Sequence, residues 1–259
     1  KVAPASFTKL LTAEVALDLQ IPDRLLGAST QAVNKVPTVL GVKAGEYFPL
    51  ADLLRGAIAT SANDAAAIMA EASILPYGGK TADFVNLMNE KAKLLGLTSS
   101  HFSNPEGYDD NRQYTTLDDL YRLVTSIYRF YPEILDAGSR NRDDILPAET
   151  HGGYYLPNWN GLLGIYPGVH GLKIAYTENA GYSTIVTAKR EGIEIIAIVS
   201  GAATIPERDL AAARLLDFAF AVENIAPAKI TKANLQVKYD EWNALTKKIR
   251  AELNAQEKP

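Results

Sequence analysis

Apolar residues recur every three or four positions in several separate segments of the chain, which is typical of helices that bury one face. The first such run covers residues 4–22 and lies between two prolines, and a second run covers residues 50–58. A polar interruption at residues 60–64 follows, and the helical spacing then resumes through residue 72. Ser, Asn and Asp stop one helix and cap the next, so we predict a helix–turn–helix corner at this interruption.

Three later segments show the same helical spacing, at residues 84–95, 116–131 and 207–222. Gly96 ends the first of these helices, because glycine tolerates the left-handed conformation of a C-cap. Thr116, with an aspartate three residues later, caps the second helix.

The hydrophobic pattern changes after Gly171 from helical spacing to β-rich runs. Residues 172–176, 182–189 and 193–200 predict three strands, and Arg190-Glu191-Gly192 predicts a hairpin between the last two.

Two segments show no long run of regularly spaced apolar residues. Residues 23–49, including the short apolar piece at 38–42, predict small strands and turns, and residues 132–168 predict mainly loops.

The C-terminal segment, residues 227–259, is mostly polar but carries one apolar stripe. The stripe consists of Leu235, Trp242, Leu245, Ile249 and Leu253. Its spacing predicts an amphipathic helix over residues 229–259. This helix packs either on its own domain or on a protein partner or membrane surface. The narrow stripe and the mixed charges favour a protein partner over anionic lipid.

Composition places the chain among soluble globular proteins with a sizeable core, since 47% of its 259 residues are hydrophobic and 22% are charged. A net charge of -4 is not the basic charge that is typical of a nucleic-acid-binding protein. The absence of cysteine excludes disulfides and a cysteine nucleophile. The three histidines show no metal-ligand spacing, and no apolar run reaches the roughly 18 residues that span a bilayer.

A serine and a lysine three positions apart, Ser6 and Lys9, open the first predicted helix. Residues at this spacing share a helix face, so the hydroxyl and the amine can meet. A lysine can activate a serine nucleophile if burial or a second cation lowers its pKa. By itself the motif is short enough to occur by chance, and it equally fits a solvated helix start.

Two further segments complete a candidate site. Ser61-Ala62-Asn63 supplies a hydroxyl that can relay a proton and an amide that can orient a peptide group. Lys173-Ile174-Ala175, at the start of the β-rich region, stands where a K-[ST]-G motif on an edge strand is expected.

Together these segments resemble the low-molecular-weight penicillin-binding proteins, the serine-type D-alanyl-D-alanine carboxypeptidases of the peptidoglycan layer. The resemblance covers about residues 3–222. It includes the segments 3–10, 51–66, 84–97, 101–107 and 166–182, which are jointly specific. Two other tripeptides match the second and third motifs in sequence, namely Ser139-Arg140-Asn141 and Lys80-Thr81-Ala82. They lack the family's flanking residues, and we interpret both as surface loops.

The resemblance implies an α+β fold of the β-lactamase and DD-peptidase type, with helices on both faces of an antiparallel sheet and an all-helical part that bears Ser61. It also implies that Ser6 is the nucleophile and that Lys9 is the base, kept neutral with the help of Lys173. The backbone N–H groups of Ser6 and Tyr176 would form the oxyanion hole. No metal or organic cofactor is expected, and the ligands implied are peptidoglycan stem peptides and β-lactams.

The third motif departs from the family at two positions. Ile174 replaces the hydroxyl residue that holds the substrate carboxylate, a bond worth roughly 1.5–3 kcal/mol. Ala175 replaces glycine and adds a methyl group where substrate backbone should approach. We therefore expect intact acylation machinery with weakened carboxylate recognition.

Three functions remain open at this stage. The first is a D-Ala-D-Ala carboxypeptidase that trims stem peptides, and the second is a scaffold or binding protein that has lost turnover. The third is a β-lactamase or esterase, disfavoured because no glutamate lies in a recognisable deacylation context. Penicillin labelling separates the first two, and nitrocefin turnover tests the third.

The domain prediction is a catalytic domain at residues 1–226 followed by the helix at 227–259. The chain opens on Lys1, and the resemblance places two sheet strands before the nucleophile segment. We therefore expect an upstream segment, cleaved or supplied by another chain, to complete the sheet. The resemblance implies an extracytoplasmic location, periplasmic or attached to the cell envelope; no signal peptide is present in this sequence.

Overall fold

The computed structural model describes residues 1–256, with side chains described through residue 249. The first half of the fold contains, in order, a 3₁₀ turn (Ala5–Phe7), α1 (Thr8–Leu19), β1 (Leu25–Gly27), α2 (Thr30–Val33), β2 (Tyr47–Pro49), α3 (Leu50–Arg55), a π-helical turn (Gly56–Thr60), α4 (Asn63–Ile74), a second 3₁₀ turn (Leu75–Tyr77) and α5 (Thr81–Leu94). The second half contains α6 (Leu117–Phe130), α7 (Pro132–Ser139), β3 (Arg142–Ile145), β4 (Tyr154–Pro157), β5 (Val169–Ala175), β6 (Tyr182–Arg190), β7 (Ile193–Ala202), α8 (Ile205–Val222) and α9 (Lys232–Gln256).

The central sheet consists of β5, β6 and β7 in antiparallel order. The predicted hairpin joins the last two strands, and its residues Glu191 and Gly192 both have the positive φ that a tight two-residue turn requires. Helix α8 covers one face of β6 and β7, whereas α7 contacts β5 and α6 contacts β7. The α+β architecture predicted from the sequence is therefore confirmed.

Two hydrophobic cores hold these layers together. The larger core surrounds α1, which packs against α4, α5 and α6. The smaller core lies between the sheet and α8 and includes Val186, Leu216 and Phe220. Because α1 is enclosed on nearly all sides, even its polar residues Lys9 and Glu14 have no exposed surface.

Residues 23–49 contain the predicted small strands, as β1 and β2, but two other details differ from the sequence predictions. Residues 132–168 contain α7 and the β3–β4 hairpin, because Pro132 suits the first position of a helix and β3 is too polar to show an apolar alternation. Conversely, residues 38–42 form no strand. The backbone N–H groups of Leu40, Gly41 and Val42 donate to the Asp64 carboxylate instead of to a neighbouring strand.

The two look-alike motifs both lie at the surface, although one of them is not in a loop. Lys80 is the exposed N-cap of α5, and Thr81 and Ala82 form the first turn of that helix. The Lys80 N–H donates to the Asp83 carboxylate at 2.8 Å, which fixes the helix start. The other motif begins at Ser139, the last residue of α7, and leads into the surface turn before β3.

The first turns of α9 pack on the domain itself. Leu235 is buried in the smaller core, and the Trp242 ring meets the Trp159 ring edge to face at 5.5 Å. The Tyr239 hydroxyl donates to the Asp209 carboxylate at 2.9 Å. The predicted stripe continues to Leu253, whose side chain lies outside the described residues. No helix in the described part of the chain is long and apolar enough to cross a membrane.

A buried carboxyl group inside α1 predicts a pH-dependent stability. Glu14 has no exposed surface, its oxygens have no hydrogen-bond partner within the described residues, and the Lys91 ammonium lies 3.9 Å away. Burial raises the pKa of Glu14 to about 8, and Lys91 only partly offsets this effect. The folded state therefore holds a proton that the unfolded state releases, so stability falls as pH rises from about 4.5 to about 8.

We expect Glu14→Gln to remove this loss, because a neutral amide of the same shape needs no proton. A shift from 4.5 to about 8 corresponds to a loss of up to about 5 kcal/mol, at about 1.4 kcal/mol for each pKa unit. The test is the free energy of unfolding in urea, measured for both proteins at about pH 5.5 and about pH 8, near the two ends of this range. Equal pH dependence in both proteins would contradict the assignment to Glu14.

Candidate active site

The segment that carries Ser6 combines a strained turn with a buried lysine. Ser6 lies in the 3₁₀ turn and is half-buried, and the Lys9 Nζ in the first turn of α1 lies 3.0 Å from its Oγ. Ala5, just before Ser6, has φ of 46°, a left-handed conformation that costs free energy for a residue with a side chain. The predicted meeting of hydroxyl and amine is therefore present in the structure.

Two other groups hold the Lys9 amine in place. Its Nζ donates to the Asn63 side-chain oxygen at 2.7 Å and to the Glu106 backbone oxygen at 2.6 Å. A neutral amine has two N–H donors and one lone pair. With both donors engaged by Asn63 and Glu106, the lone pair is left for the Ser6 hydroxyl.

Burial lowers the pKa of Lys9 from 10.5 to about 7, and the charges of Glu106 and Asp64 oppose this change. A large fraction of the amine is therefore neutral at neutral pH and can accept a proton. The sequence left burial and a neighbouring cation as the two expected causes, and burial is the main one. Lys9 in turn acts on Lys173, whose pKa lies well below its usual value because of burial and the nearby Lys9 and Arg208 charges.

The second motif is positioned by an irregular helix. Ser61 is the C-cap of the π-helical turn and has left-handed φ and ψ of 67° and 30°, and Asn63 then begins α4. Such π-turns are frequent at functional sites. Ser61 and Asn63 are 6% and 7% exposed, and the Asn63 amide nitrogen donates to the Val36 backbone oxygen at 2.8 Å. Both polar side chains are therefore largely buried, and the Asn63 oxygen contacts the Lys9 amine.

The third motif lies on the edge strand β5, next to the other two segments. Both the 3₁₀ turn that carries Ser6 and the π-helical turn pack against this strand. Lys173 is buried, and its Nζ donates to the Ile174 backbone oxygen at 2.9 Å. Ala175 is also buried, whereas Tyr176 is 48% exposed. The structure thus brings all three motifs together around Ser6.

A turn that sequence reasoning did not assign to the site packs against the backbone of Ala5 and Ser6. Asn104 holds this turn by accepting from the Gly107 N–H at 2.7 Å, and Gly107 has φ of 90°. A Cβ atom at Gly107 would lie 1.9 Å from the Ala5 backbone oxygen, so only glycine fits. The Asn-Pro-x-Gly pattern at residues 104–107 is the signal for this turn.

The described residues contain no group of three or more His, Asp or Glu side chains that could hold a metal ion. The side chains around Ser6 are amines, hydroxyls and an amide, which suit proton transfer and hydrogen bonding.

A fold of this kind, with a serine and a buried lysine beside an edge strand, is that of the DD-peptidases. The D-alanyl-D-alanine carboxypeptidase DacD from Francisella tularensis superposes with a TM-score of 0.75 at 26% identity, over 85% of this chain and 64% of that one. Penicillin-binding protein D2 from Listeria monocytogenes, in its cefotaxime-bound form, gives 0.70 at 28% identity, over 85% and 87%.

The sequence profile of the D-alanyl-D-alanine carboxypeptidases matches residues 1–204, so the chain belongs to that family (peptidase S11), and the resemblance is confirmed. D-alanyl-D-alanine carboxypeptidase DacF of Bacillus subtilis is 33% identical over 226 residues, which are 85% of this chain and 56% of that protein. The chain thus spans a little over half the length of this curated relative.

Proposed function

We propose that this protein is a serine peptidase that cleaves the bond after the first D-alanine of D-Ala-D-Ala stem peptides, with weakened recognition of the terminal carboxylate. The observation that carries this proposal is the 3.0 Å contact between the Lys9 Nζ and the Ser6 Oγ, with the other Lys9 contacts fixed by Asn63 and Glu106. Family membership supports the same chemistry.

In the proposed reaction, Ser6 Oγ attacks the carbonyl carbon while its proton moves to the neutral Lys9 amine. The N–H groups of Ser6 and Tyr176 stabilise the oxyanion. The C–N bond then breaks, and the Ser61 hydroxyl relays the proton to the leaving amine. Water hydrolyses the acyl-enzyme by the reverse sequence of proton transfers. Asn63 orients the substrate amide, and Lys173 provides a second amine near Lys9.

Covalent labelling tests the proposal directly. We expect a fluorescent penicillin to acylate the protein at Ser6, located by mass spectrometry of the digested adduct. Ser6→Ala should remove the label, whereas Ser139→Ala, in the look-alike motif at the surface, should leave it unchanged. The proposal would be contradicted if the folded wild-type protein acquired no label, or acquired the label at another residue.

A scaffold without turnover is the second candidate, and the observation in its favour is the pair Ile174 and Ala175. Neither side chain offers a hydrogen-bond donor to a substrate carboxylate. Binding of a stem peptide without acylation of Ser6 would favour the scaffold. Rapid nitrocefin turnover would instead favour a β-lactamase.

We also propose that an extended segment, upstream of residue 1 or on another chain, adds a strand to the outer edge of β7. Within the described residues β7 pairs only with β6, and exposed strand edges are generally covered. Lys1 and Pro4 line one cavity of about 450 Å³ together with Ser200 and Gly201, so a preceding residue would lie near the end of β7. Rapid hydrogen exchange of the outward β7 amides in the longest natural form would argue against this pairing.

We further propose that the enzyme acts outside the cytoplasm, where stem peptides are found.

We propose in addition that the exposed side of α9 binds a protein partner. Val237 is 57% exposed on this helix, although Leu235 and Lys238 on its other side are buried. The Trp242 ring lies at the junction with the domain. Trp242 fluorescence that stays unchanged on adding lipid vesicles and a cell-envelope extract would indicate self-packing alone.

A further inference from the structure

A two-residue segment after α2 contacts both groups that hold the Lys9 amine. The Lys35 Nζ lies 2.7 Å from the carboxylate of Glu106, and the backbone oxygen of Glu106 accepts from Lys9 at 2.6 Å. The backbone oxygen of Val36, the next residue, accepts from the Asn63 amide at 2.8 Å, and the Asn63 oxygen accepts from Lys9 at 2.7 Å. One segment therefore supports both acceptors that fix the position of Lys9.

The Glu106 carboxylate is buried close to this amine. Its side chain is 4% exposed, whereas that of Lys35 is 21% exposed. A buried carboxylate is costly unless a cation or hydrogen-bond donors compensate its charge. Within the described residues, Lys35 is the single ion-pair partner of Glu106. The Lys35 ammonium group therefore neutralises a charge that would otherwise act on the site.

The charge of Glu106 acts on two ionisable groups near it. Burial, followed by the Glu106 charge, raises the pKa of Tyr108 to about 12. Burial lowers the pKa of Lys9 to about 7, and of the two carboxylates that oppose this change Glu106 is the stronger and Asp64 the weaker. Backbone N–H groups already compensate Asp64, and Lys173 is a second amine near Lys9. The Glu106 carboxylate is therefore the charge whose compensation most affects the base.

We propose that Lys35 is a positioning residue for catalysis, which holds the Glu106 turn in place and cancels the Glu106 charge beside Lys9. The general base thereby stays neutral and can accept the proton of the nucleophile. In this role Lys35 does not contact the substrate and acts only through Glu106. The inference rests on the proposed function, in which Lys9 is the base. The proton still moves from the Ser6 Oγ to the Lys9 Nζ, and Lys35 changes only how much of the amine is free to receive it.

The test is the pH profile of acylation by a fluorescent penicillin, measured with the full chain. Lys35→Met leaves Glu106 uncompensated, so more of the Lys9 amine is protonated at low pH. We expect the acylation rate constant at about pH 6 to fall by about three- to ten-fold, because the half-maximal rate moves to higher pH by about one half to one unit. At about pH 9, where Lys9 is neutral in both proteins, the rate should change by less than about two-fold.

Changing the carboxylate should move the profile in the opposite direction. Glu106→Gln removes the anion but keeps the backbone oxygen that accepts from Lys9, so the rate at about pH 6 should rise by about two- to four-fold. Lys35→Met combined with Glu106→Gln removes both charges and should return the profile toward that of the wild type. Lys35→Arg restores a cation and should do the same.

Lys93→Met is the matched control for the loss of one positive charge. Lys93 forms an exposed ion pair of 2.6 Å with Glu90 on α5, and its loss should leave the profile unchanged. Opposite shifts in the Lys35→Met and Glu106→Gln proteins would support the inference, because a loss of packing lowers the rate at every pH.

The other outcomes separate this inference from the function on which it rests. If Ser6 is labelled but the folded Lys35→Met protein keeps the wild-type profile, or loses the same factor at every pH, the inference is overturned and the proposed peptidase stands. If thermal unfolding shows that Lys35→Met is not folded, Glu106→Gln decides alone, and a profile that does not move to lower pH overturns the inference. Failure of penicillin to acylate Ser6 in the wild type overturns the proposed function itself.

Discussion

Replacing Lys9 with methionine is expected to lower the rate of Ser6 acylation by about 10²- to 10⁴-fold, the usual contribution of a positioned general base. The Lys9 Nζ is 3.0 Å from the Ser6 Oγ, and it is the group that receives the proton in the proposed reaction. Methionine fills a fully buried site with similar volume, so the packing of α1 is largely kept. The measurement is the second-order rate constant for penicillin labelling.

The same lysine predicts the pH dependence of the wild-type enzyme. Because burial lowers the pKa of Lys9 to about 7, the neutral base accumulates as pH rises through 7. We expect the acylation rate to rise about ten-fold per pH unit below this value and to level off above it. Lys80→Met, at an exposed helix start, is the matched control and should keep both the rate and the profile. A flat profile, or a folded Lys9→Met protein with the wild-type rate, would contradict the role of Lys9.

The helices that surround the site could be predicted because they are amphipathic or bounded by strong caps. The α3–α4 corner is an example, since a run of small polar residues at 60–64 interrupts two apolar stripes. The hairpin between β6 and β7 could also be predicted, from its turn residues. The β3–β4 hairpin within residues 132–168 was not predicted, because β3 and β4 are four residues long and β3 carries three charged side chains.

The cause of the Lys9 pKa could not be predicted from the sequence. Burial depends on how α1 is enclosed by α4, α5 and α6, which is a tertiary property that residue spacing does not contain. The hydrogen bond from the Lys9 amine to the Glu106 backbone oxygen could not be predicted either, because any residue type can supply a backbone oxygen. The need for Gly107 follows only from the position of the Ala5 backbone against it.

Asp64 shows how a buried charge in a motif can be structural instead of catalytic. It follows Asn63 in the second motif, yet its carboxylate accepts from the backbone N–H groups of Leu40 and Gly41 at 3.0 and 2.9 Å. These bonds hold the segment that includes Val36, which in turn accepts from the Asn63 amide. Asp64 thus fixes the neighbouring loop, while Asn63 contacts the Lys9 amine.

Restoring the hydroxyl and the glycine of the third motif, with Ile174→Thr and Ala175→Gly together, is expected to raise penicillin acylation by about ten- to a hundred-fold. A hydrogen bond to a carboxylate contributes roughly 1.5–3 kcal/mol, which corresponds to that range. Ile174 is half-exposed on the edge strand, so threonine fits without disturbing the core. Ala175 is fully buried, and glycine there weakens the strand, so thermal unfolding must first show that the variant is folded.

Ile174→Val isolates the hydroxyl, because valine has the shape of threonine without its donor. When each change is combined with Ala175→Gly, we expect the Ile174→Thr protein to react faster than the Ile174→Val protein, while Ser6→Ala abolishes labelling in every background. Equal rates for the threonine and valine variants would show that position 174 does not contact the carboxylate. If the folded double variant forms no adduct at all, Ser6 is not a working nucleophile, and the scaffold without turnover becomes the function that the site supports.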